Sequence, residues 1–486
     1  MLSLAVGVFA VPAKRGFWKT LRLTDGREVR AQLTGDDIVH YYQAENGECY
    51  VADTDGSYKH VEKAELAAHA KARRAVFDKA NRAHARKIAG STGKVFEGKK
   101  KGLIILVAFS DKQFKPEHDL EFYKKVANEP GFTTEDGFHG SVRDYFKDQS
   151  LGTFDVEFDV VGPVTMPNSY VYYGRNAGFS GDAHAGEMVA EACKAIEGTV
   201  NFADYDWDGD GVVDQVFALY AGLGEAAGGS ADTIWPHKWS LSDSDYGQIL
   251  TLDNVDIDTY ACSCEMTLDN ENDFVEMVDG IGTICHEFSH CLGYPDIYDT
   301  SQFGASNFGM NVWDLMDYGS YNDGGFTPSG YTAYEKMVAG WLTPVELTAD
   351  MDVTGLEPTS KGGTAYIIYN SGNTDEFIVL ENRQQTGWDA AQPASGLMAM
   401  HVDYDEAVWT ENSVNNSDTR QRYTIFHADN SDGTDTDDLA GDLYPFGGND
   451  CLNSLSMPKP LWYSKNAEGH KTLGKSVSDI TLNGDG

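Results

Sequence analysis

Positive charge is scarce in this chain: 37 Lys and Arg stand against 76 Asp and Glu in 486 residues, a formal net charge of −39. A surface of that sign repels phosphate backbones and anionic headgroups, so nucleic acid and membrane surfaces are excluded as partners. Cysteine is scarce as well. Seven thiols are too few for a disulfide scaffold, and most are expected to be buried as small apolar side chains. No apolar run reaches the roughly 18 residues that would span a bilayer as a helix. At 41% hydrophobic and 12% aromatic the chain is neither disordered nor fibrous, and its length suits about three domains of roughly 150 residues.

The longest apolar stretch, Leu2 to Val11, ends in small residues and reads as the tail of a secretory signal over 1–13, which implies export. Residues 17–60 alternate between short strands and turns at Asp25-Gly26, Asn46-Gly47 and Asp55-Gly56. An Ala-rich helical stretch follows. Between Lys71 and Lys101 lie eleven bases and two acids, a basic bridge open to proteolytic nicking, so 14–97 reads as a propeptide with its linker. Gly102 to Phe109 (GLIILVAF) is a strand buried on both faces. Helices at 141–149 and 184–196 alternate with strands at 154–164 and 212–221, which makes 98–345 an α/β domain. Strands with turn signals then predict an all-β sandwich over 346–486, with the turn at Asn483-Gly484 leaving room for a further strand.

The chemistry is concentrated in His286-Glu287-Phe288-Ser289-His290 and the Cys-Leu-Gly-Tyr-Pro-Asp that follows. On a helix His286 and His290 face the same way one turn apart and can share a zinc ion, with Glu287 beside the zinc-bound water. Gly293 can cap the helix in a left-handed conformation and Pro295 ends it, so the chain turns back and brings Asp296 to the metal as third ligand. Further on, Trp313 to Ser320 has the form of a tight methionine turn, with Met316 beneath the ligands and Tyr318 a candidate to reach the metal or the oxyanion.

A second constellation runs from Asp206 to Asp214 (DWDGDGVVD). Carboxylates at Asp206, Asp208 and Asp210, the carbonyl of Val212 and the carboxylate of Asp214 follow the calcium-loop pattern, although position twelve is Phe217 rather than a Glu. His401 and Asp403 share a strand face, as a second metal site or a hydrogen-bonded pair. Cys49 reads as a packed strand residue rather than a latency thiolate.

Together LIILVAFSD, SVRDYFKDQSLG, the Asp-rich loop, HEFSHCLGYPDIYD, the Met316 turn, FIVLENRQQTGWD and GLMAMHVD resemble the immune-inhibitor-A-like secreted metallopeptidases of bacteria. The resemblance implies a metzincin-like α/β (α+β) zincin fold with Zn2+ and Ca2+ as cofactors. It also implies a secreted zymogen, expected to be monomeric, that hydrolyses peptide bonds of proteins with Glu287 as general base. The alternative is a glycan-binding or host-surface protein on an inactive scaffold, with Trp388 and Trp409 as sugar platforms.

Overall fold

The computed structural model describes residues 9–74, 96–176, 181–269, 274–301 and 307–484. Its centre is the strand Gly98–Ala108. Leu103, Ile105 and Val107 enter one core and Ile104 and Leu106 the other, the period-two alternation of a strand covered on both faces. Phe154–Thr165 and Phe217–Leu223 flank it in parallel, and Thr259–Asp269 runs parallel to Phe217–Leu223. His237–Ser240 closes that side antiparallel. Helices Leu120–Asn128, Val142–Gln149 and Gly282–Cys291 cover one face of the sheet, and Tyr170–Gly174 and Ala185–Ala195 the other. The expected α/β alternation is present. Val142–Gln149 begins at a reciprocal cap in which the Ser141 hydroxyl accepts from the Asp144 N–H and the Asp144 carboxylate accepts from that of Ser141. The strand expected at 212–221 starts only at Phe217, because the Asp-rich loop continues through Asp214.

The N-terminal unit is a five-stranded antiparallel meander, Trp18–Arg22, Glu28–Gly35, His40–Ala44, Cys49–Ala52 and Tyr58–Val61. Its turns fall at the expected dipeptides, where Gly26, Gly47 and Gly56 adopt φ of +85°, +82° and +81°. Helical residues 63–74 pack Leu66 and Ala70 on one side of it. Most of the basic bridge, 75–95, lies outside the described residues. Its far end is not linker at all: Lys99, Lys100 and Lys101 belong to the central strand, and Lys101 pairs with Asp159 and Asp204 at 3.3 and 3.0 Å.

Of the expected signal over 1–13 only the last residues are described. Residues 1–8 lie outside the described set, but Phe9–Ala10 is a strand of the large sheet, antiparallel to His237–Ser240, and Ala10, Val11 and Ala13 are buried. The small apolar side chains that resemble a cleavage zone equally suit a strand inserted into a narrow cleft.

Beyond Trp341, Tyr366–Asn370, Asn373–Arg383, Gly396–Asp403 and Tyr423–Ile425 form an antiparallel sheet, with Val345–Glu346 parallel at its edge. Among the described residues this is one sheet rather than a sandwich. One face is covered by Leu452, Trp462 and Leu473 on chain that forms only isolated bridges. On the other face Val379, Met398, Met400 and Val402 join the same hydrophobic cluster as Trp313, Met316 and Phe288. Arg383 crosses that boundary fully buried, donating to Asp389 at 2.8 and 2.9 Å, to the Gly330 carbonyl at 3.1 Å and to the Trp313 carbonyl at 3.3 Å.

Candidate metal centre

Helix Gly282–Cys291 carries His286, Glu287 and His290 into the interior, all at most 1% exposed. It approaches the chain after Met316 so closely that a Cβ on Gly282 would stand 1.9 Å from the Ser320 carbonyl oxygen, so no larger residue fits at the helix start. At the other end Gly293, at φ +96°, donates its N–H to the His290 carbonyl, and the chain turns back through Pro295 to Asp296.

That turn brings the three expected donors together. His286 Nε2 and His290 Nε2 are 3.0 Å apart, and Asp296 Oδ1 lies 3.2 and 3.3 Å from them. Each Nδ1 donates to a backbone carbonyl, His286 to Leu315 at 2.8 Å and His290 to Tyr294 at 2.7 Å, so each neutral ring directs the lone pair of Nε2 inward. Burial drives His290 down to about 4, so this ring stays neutral. Two lone pairs and a carboxylate converging at a buried point repel one another, and a cation between them relieves this. Two imidazoles and one carboxylate suit zinc with a fourth position open.

Glu287 stands beside this triad. Its Oε1 accepts the Val11 N–H at 2.8 Å, and its buried Oε2 has no hydrogen-bond partner among the described residues. Burial raises its pKa well above the usual carboxylate range. Met316 is fully buried and its carbonyl accepts the Ile297 N–H at 2.9 Å, which ties the methionine turn to the loop carrying Asp296. Tyr318 is not drawn into the triad: it is half-buried with the Arg15 guanidinium 3.7 Å above its ring, and its hydroxyl has no hydrogen-bond partner among the described residues.

Two contributions escaped the sequence. Residues 9–15 run through the cleft, the Phe9 ring stacking on His290 at 4.8 Å. The carbonyls of Ala10, Val11 and Pro12 accept from Tyr298 Oη (2.7 Å), Trp235 Nε1 (3.0 Å) and Tyr321 Oη (2.7 Å). Asn412 reaches in from the other side, on the β domain. Its Nδ2 donates to Asp296 Oδ2 at 2.6 Å and its Oδ1 accepts the Asp296 N–H at 2.7 Å. Its left-handed φ of 53° was the one local hint, since Asn tolerates that conformation better than most residues, but φ is not visible in a sequence.

The Asp-rich loop gathers Asp206, Asp208 and Asp210, each offering one oxygen within 4.8 Å of the others. Asp214 lies outside that group, accepting the Trp207 N–H at 2.5 Å, and burial raises its pKa to about 7. The Val212 N–H donates to Asp210 at 2.9 Å. His401 and Asp403 do not form a pair: His401 bonds Glu376 at 3.1 Å, and Asp403 bonds Arg420 and Arg422 at 2.7 and 3.0 Å. Cys49 is packed, its thiol directed at the Gly47 carbonyl, and all seven cysteines are free. The proposed sugar platforms are corrected too. Trp388 is only 9% exposed and donates to Asp148, and Trp409 packs on Tyr334 and Tyr404.

A family model described as the catalytic domain of immune inhibitor A peptidase M6 matches residues 86–341. The chain is 28% identical over 255 residues to the pre-pro-metalloprotease PrtV of Vibrio cholerae serotype O1 (strain M66-2), a match covering 46% of this chain and 26% of that protein. It is 27% identical over 293 residues to Immune inhibitor A of Bacillus thuringiensis subsp. alesti, covering 51% and 42% respectively. The chain spans less than half the length of either relative.

Asn412→Gly keeps the left-handed backbone accessible and deletes both bonds to Asp296. It is expected to weaken retention of Zn2+ about 10- to 100-fold in competition with a chelator, while the far-ultraviolet spectrum stays unchanged. Zinc affinity within twofold of wild type would mean that Asn412 does not support the Asp296 carboxylate.

Proposed function

Because the chain belongs to the immune inhibitor A family of M6 peptidases, we propose that it is a metzincin-like zinc endopeptidase, exported and made in a latent form, acting as a monomer on proteins or peptides. The observation that carries this is the convergence of His286 Nε2, His290 Nε2 and Asp296 Oδ1 within 3.3 Å, next to a glutamate with one unpartnered buried oxygen. Zinc bound there supplies Lewis acidity, polarising a carbonyl and acidifying water. Glu287, one residue from a ligand on the same helix, accepts the proton of the attacking water and returns it to the leaving amine. The raised pKa of Glu287 suits a group that must both take up and release that proton.

Latency follows from residues 9–15. The Val11 N–H occupies Oε1 of Glu287 and the Phe9 ring covers His290, so a peptide cannot engage the same groups while the segment stays. The contacts are mainly backbone hydrogen bonds and ring packing, with Lys14 and Arg15 adding cations at Thr267 and Tyr318. The pre-pro form in the name of the PrtV relative is in keeping with a removable N-terminal unit. Ca2+ held by Asp206, Asp208 and Asp210 would act on stability, since this loop abuts the central strand: the Trp207 indole donates to the Lys101 carbonyl at 2.7 Å.

Three measurements test these assignments. Glu287→Gln keeps the size of the side chain but cannot take a proton. It should retain stoichiometric zinc and lose about 10²- to 10⁴-fold in peptide hydrolysis, and wild-type turnover with zinc bound would refute the general-base role. Combining Phe9→Ala with Val11→Pro removes the ring on His290 and the N–H on Glu287. This chain should hydrolyse a casein-derived peptide at least tenfold faster than the unprocessed wild type, and an equal rate would show that the segment does not inhibit. Chelating Ca2+ should lower the melting temperature of wild type but not of Asp208→Ala, with about 2.7 kcal/mol at stake for calcium at a hundredfold excess over Kd. Identical melting of both proteins with and without Ca2+ would leave the loop a plain turn.

A further inference from the structure

One peptide bond in the cleft is held at both ends by groups the catalytic motif does not explain together. The Val11 N–H of the Ala10–Val11 bond donates to Glu287 Oε1 at 2.8 Å, while the Ala10 carbonyl oxygen accepts from the Tyr298 hydroxyl at 2.7 Å. Ala10 is opposite His237 in an antiparallel pair, so its backbone is extended as that of any peptide adding to this sheet edge would be. We propose that Ala10–Val11 stands where the scissile bond of a substrate stands, and that Tyr298 is a catalytic residue whose hydroxyl stabilises the oxyanion.

The assignment rests on the peptidase reading and deepens it. In the reaction, a water oxygen adds to the carbonyl carbon and its proton passes to Glu287. The π electrons of the carbonyl move onto its oxygen, toward which the Tyr298 O–H is directed. The C–N bond then breaks, the carbonyl reforms, and the proton on Glu287 goes to the nitrogen that occupies the Val11 position. A donor aimed at the carbonyl oxygen strengthens its bond as that oxygen becomes an anion, and so acts on the barrier rather than on binding.

Tyr298 is fixed for this task. It is 4% exposed and two residues beyond Asp296, and the residue between them, Ile297, is bonded on both sides, its N–H to the Met316 carbonyl at 2.9 Å and its carbonyl to Asn415 Nδ2 at 2.7 Å. On the leaving-group side the carbonyls of Val11 and Pro12 are each held by a side-chain donor, Trp235 Nε1 and Tyr321 Oη. Those two bonds are the same in ground and transition states and serve binding. They also make recognition on that side a matter of main chain more than of side-chain identity. Tyr318, two residues after Met316, engages Arg15 instead and is not the group on the carbonyl.

The test compares the zinc-loaded full chain carrying Phe9→Ala and Val11→Pro with the same chain carrying Tyr298→Phe as well. Two probes are used, a fluorogenic casein-derived peptide and a phosphinic analogue of Phe-Ala-Val-Pro with the Ala–Val amide replaced by a tetrahedral phosphinate. Losing only the hydroxyl should lower kcat about 10²- to 10³-fold with KM within twofold and zinc content unchanged. The Kd of the phosphinate should rise in the same proportion. A kcat within threefold of the parent would overturn the assignment. So would a fall in kcat with no change in phosphinate affinity, or with loss of zinc, since either marks a structural role. If the parent chain hydrolyses no peptide, the peptidase reading fails and this assignment fails with it.

Discussion

Three lone-pair donors held within 3.3 Å of one another in a buried interior repel unless a cation joins them, and the surrounding hydrogen bonds keep them in place. Each donor is aimed from behind: His286 by the Leu315 carbonyl, His290 by the Tyr294 carbonyl and Asp296 by Asn412. The three supports come from different parts of the chain, namely the methionine turn, the loop after the helix and the β domain. A local rearrangement at any one of them would therefore change the geometry at a shared point.

The β domain is in this respect part of the metal centre. Asn412 bonds both Asp296 groups, Asn415 holds the Ile297 carbonyl, Asp442 accepts the Trp313 indole N–H at 2.7 Å, and Arg383 reaches the Trp313 carbonyl. The buried Arg383 guanidinium, neutralised by Asp389 and Glu381 of its own domain, donates across the boundary to the Gly330 and Trp313 carbonyls, and separating the domains would strip it of those partners. The apolar cluster agrees, since Met400 and Val402 of the sheet share it with Met316. The change of texture near residue 346 marks where helices give way to strands. It does not mark where one core ends and another begins.

Much of this was legible because it is local. The helix with its two histidines, the left-handed Gly293, the break at Pro295, the capping box at Ser141 and the Gly turns of the meander are all written within a few residues of the chain. The central strand was equally plain, its apolar run too continuous for a one-sided sheet. What escaped is long-range. Asn412 lies 116 residues from Asp296, and Val11 lies 276 residues from Glu287, so no spacing connects them. The pairing of Phe9–Ala10 was not legible for a physical reason: a signal tail and a buried strand use the same small apolar side chains, and the partner strand lies far away in sequence. The sandwich expectation failed because the chain after Ile425 covers its sheet with bridges and loops instead of strands.

The edge strand His237–Ser240 ties the catalytic and latent readings together. An open sheet edge is a row of unpaired donors and acceptors, ready to accept another extended chain, which is what a peptidase cleft needs and what a stored protein must guard against. Pairing Phe9–Ala10 with that edge satisfies it in the register that brings the next N–H to Glu287. On the proposed latency, the inserted segment and a substrate compete for the same backbone positions, so whatever lets the site bind peptide main chain also makes the segment fit. The ladder itself is two residues long, and the bonds to Glu287, Tyr298, Trp235 and Tyr321 hold the segment alongside it. Under that proposal, release requires those bonds to break and depends also on whether the meander and the helical residues 63–74 keep the segment at high local concentration. In the proposed latency the segment and the unit that presents it act as one device, the segment held by the sheet edge and the side chains around it and the unit keeping it close.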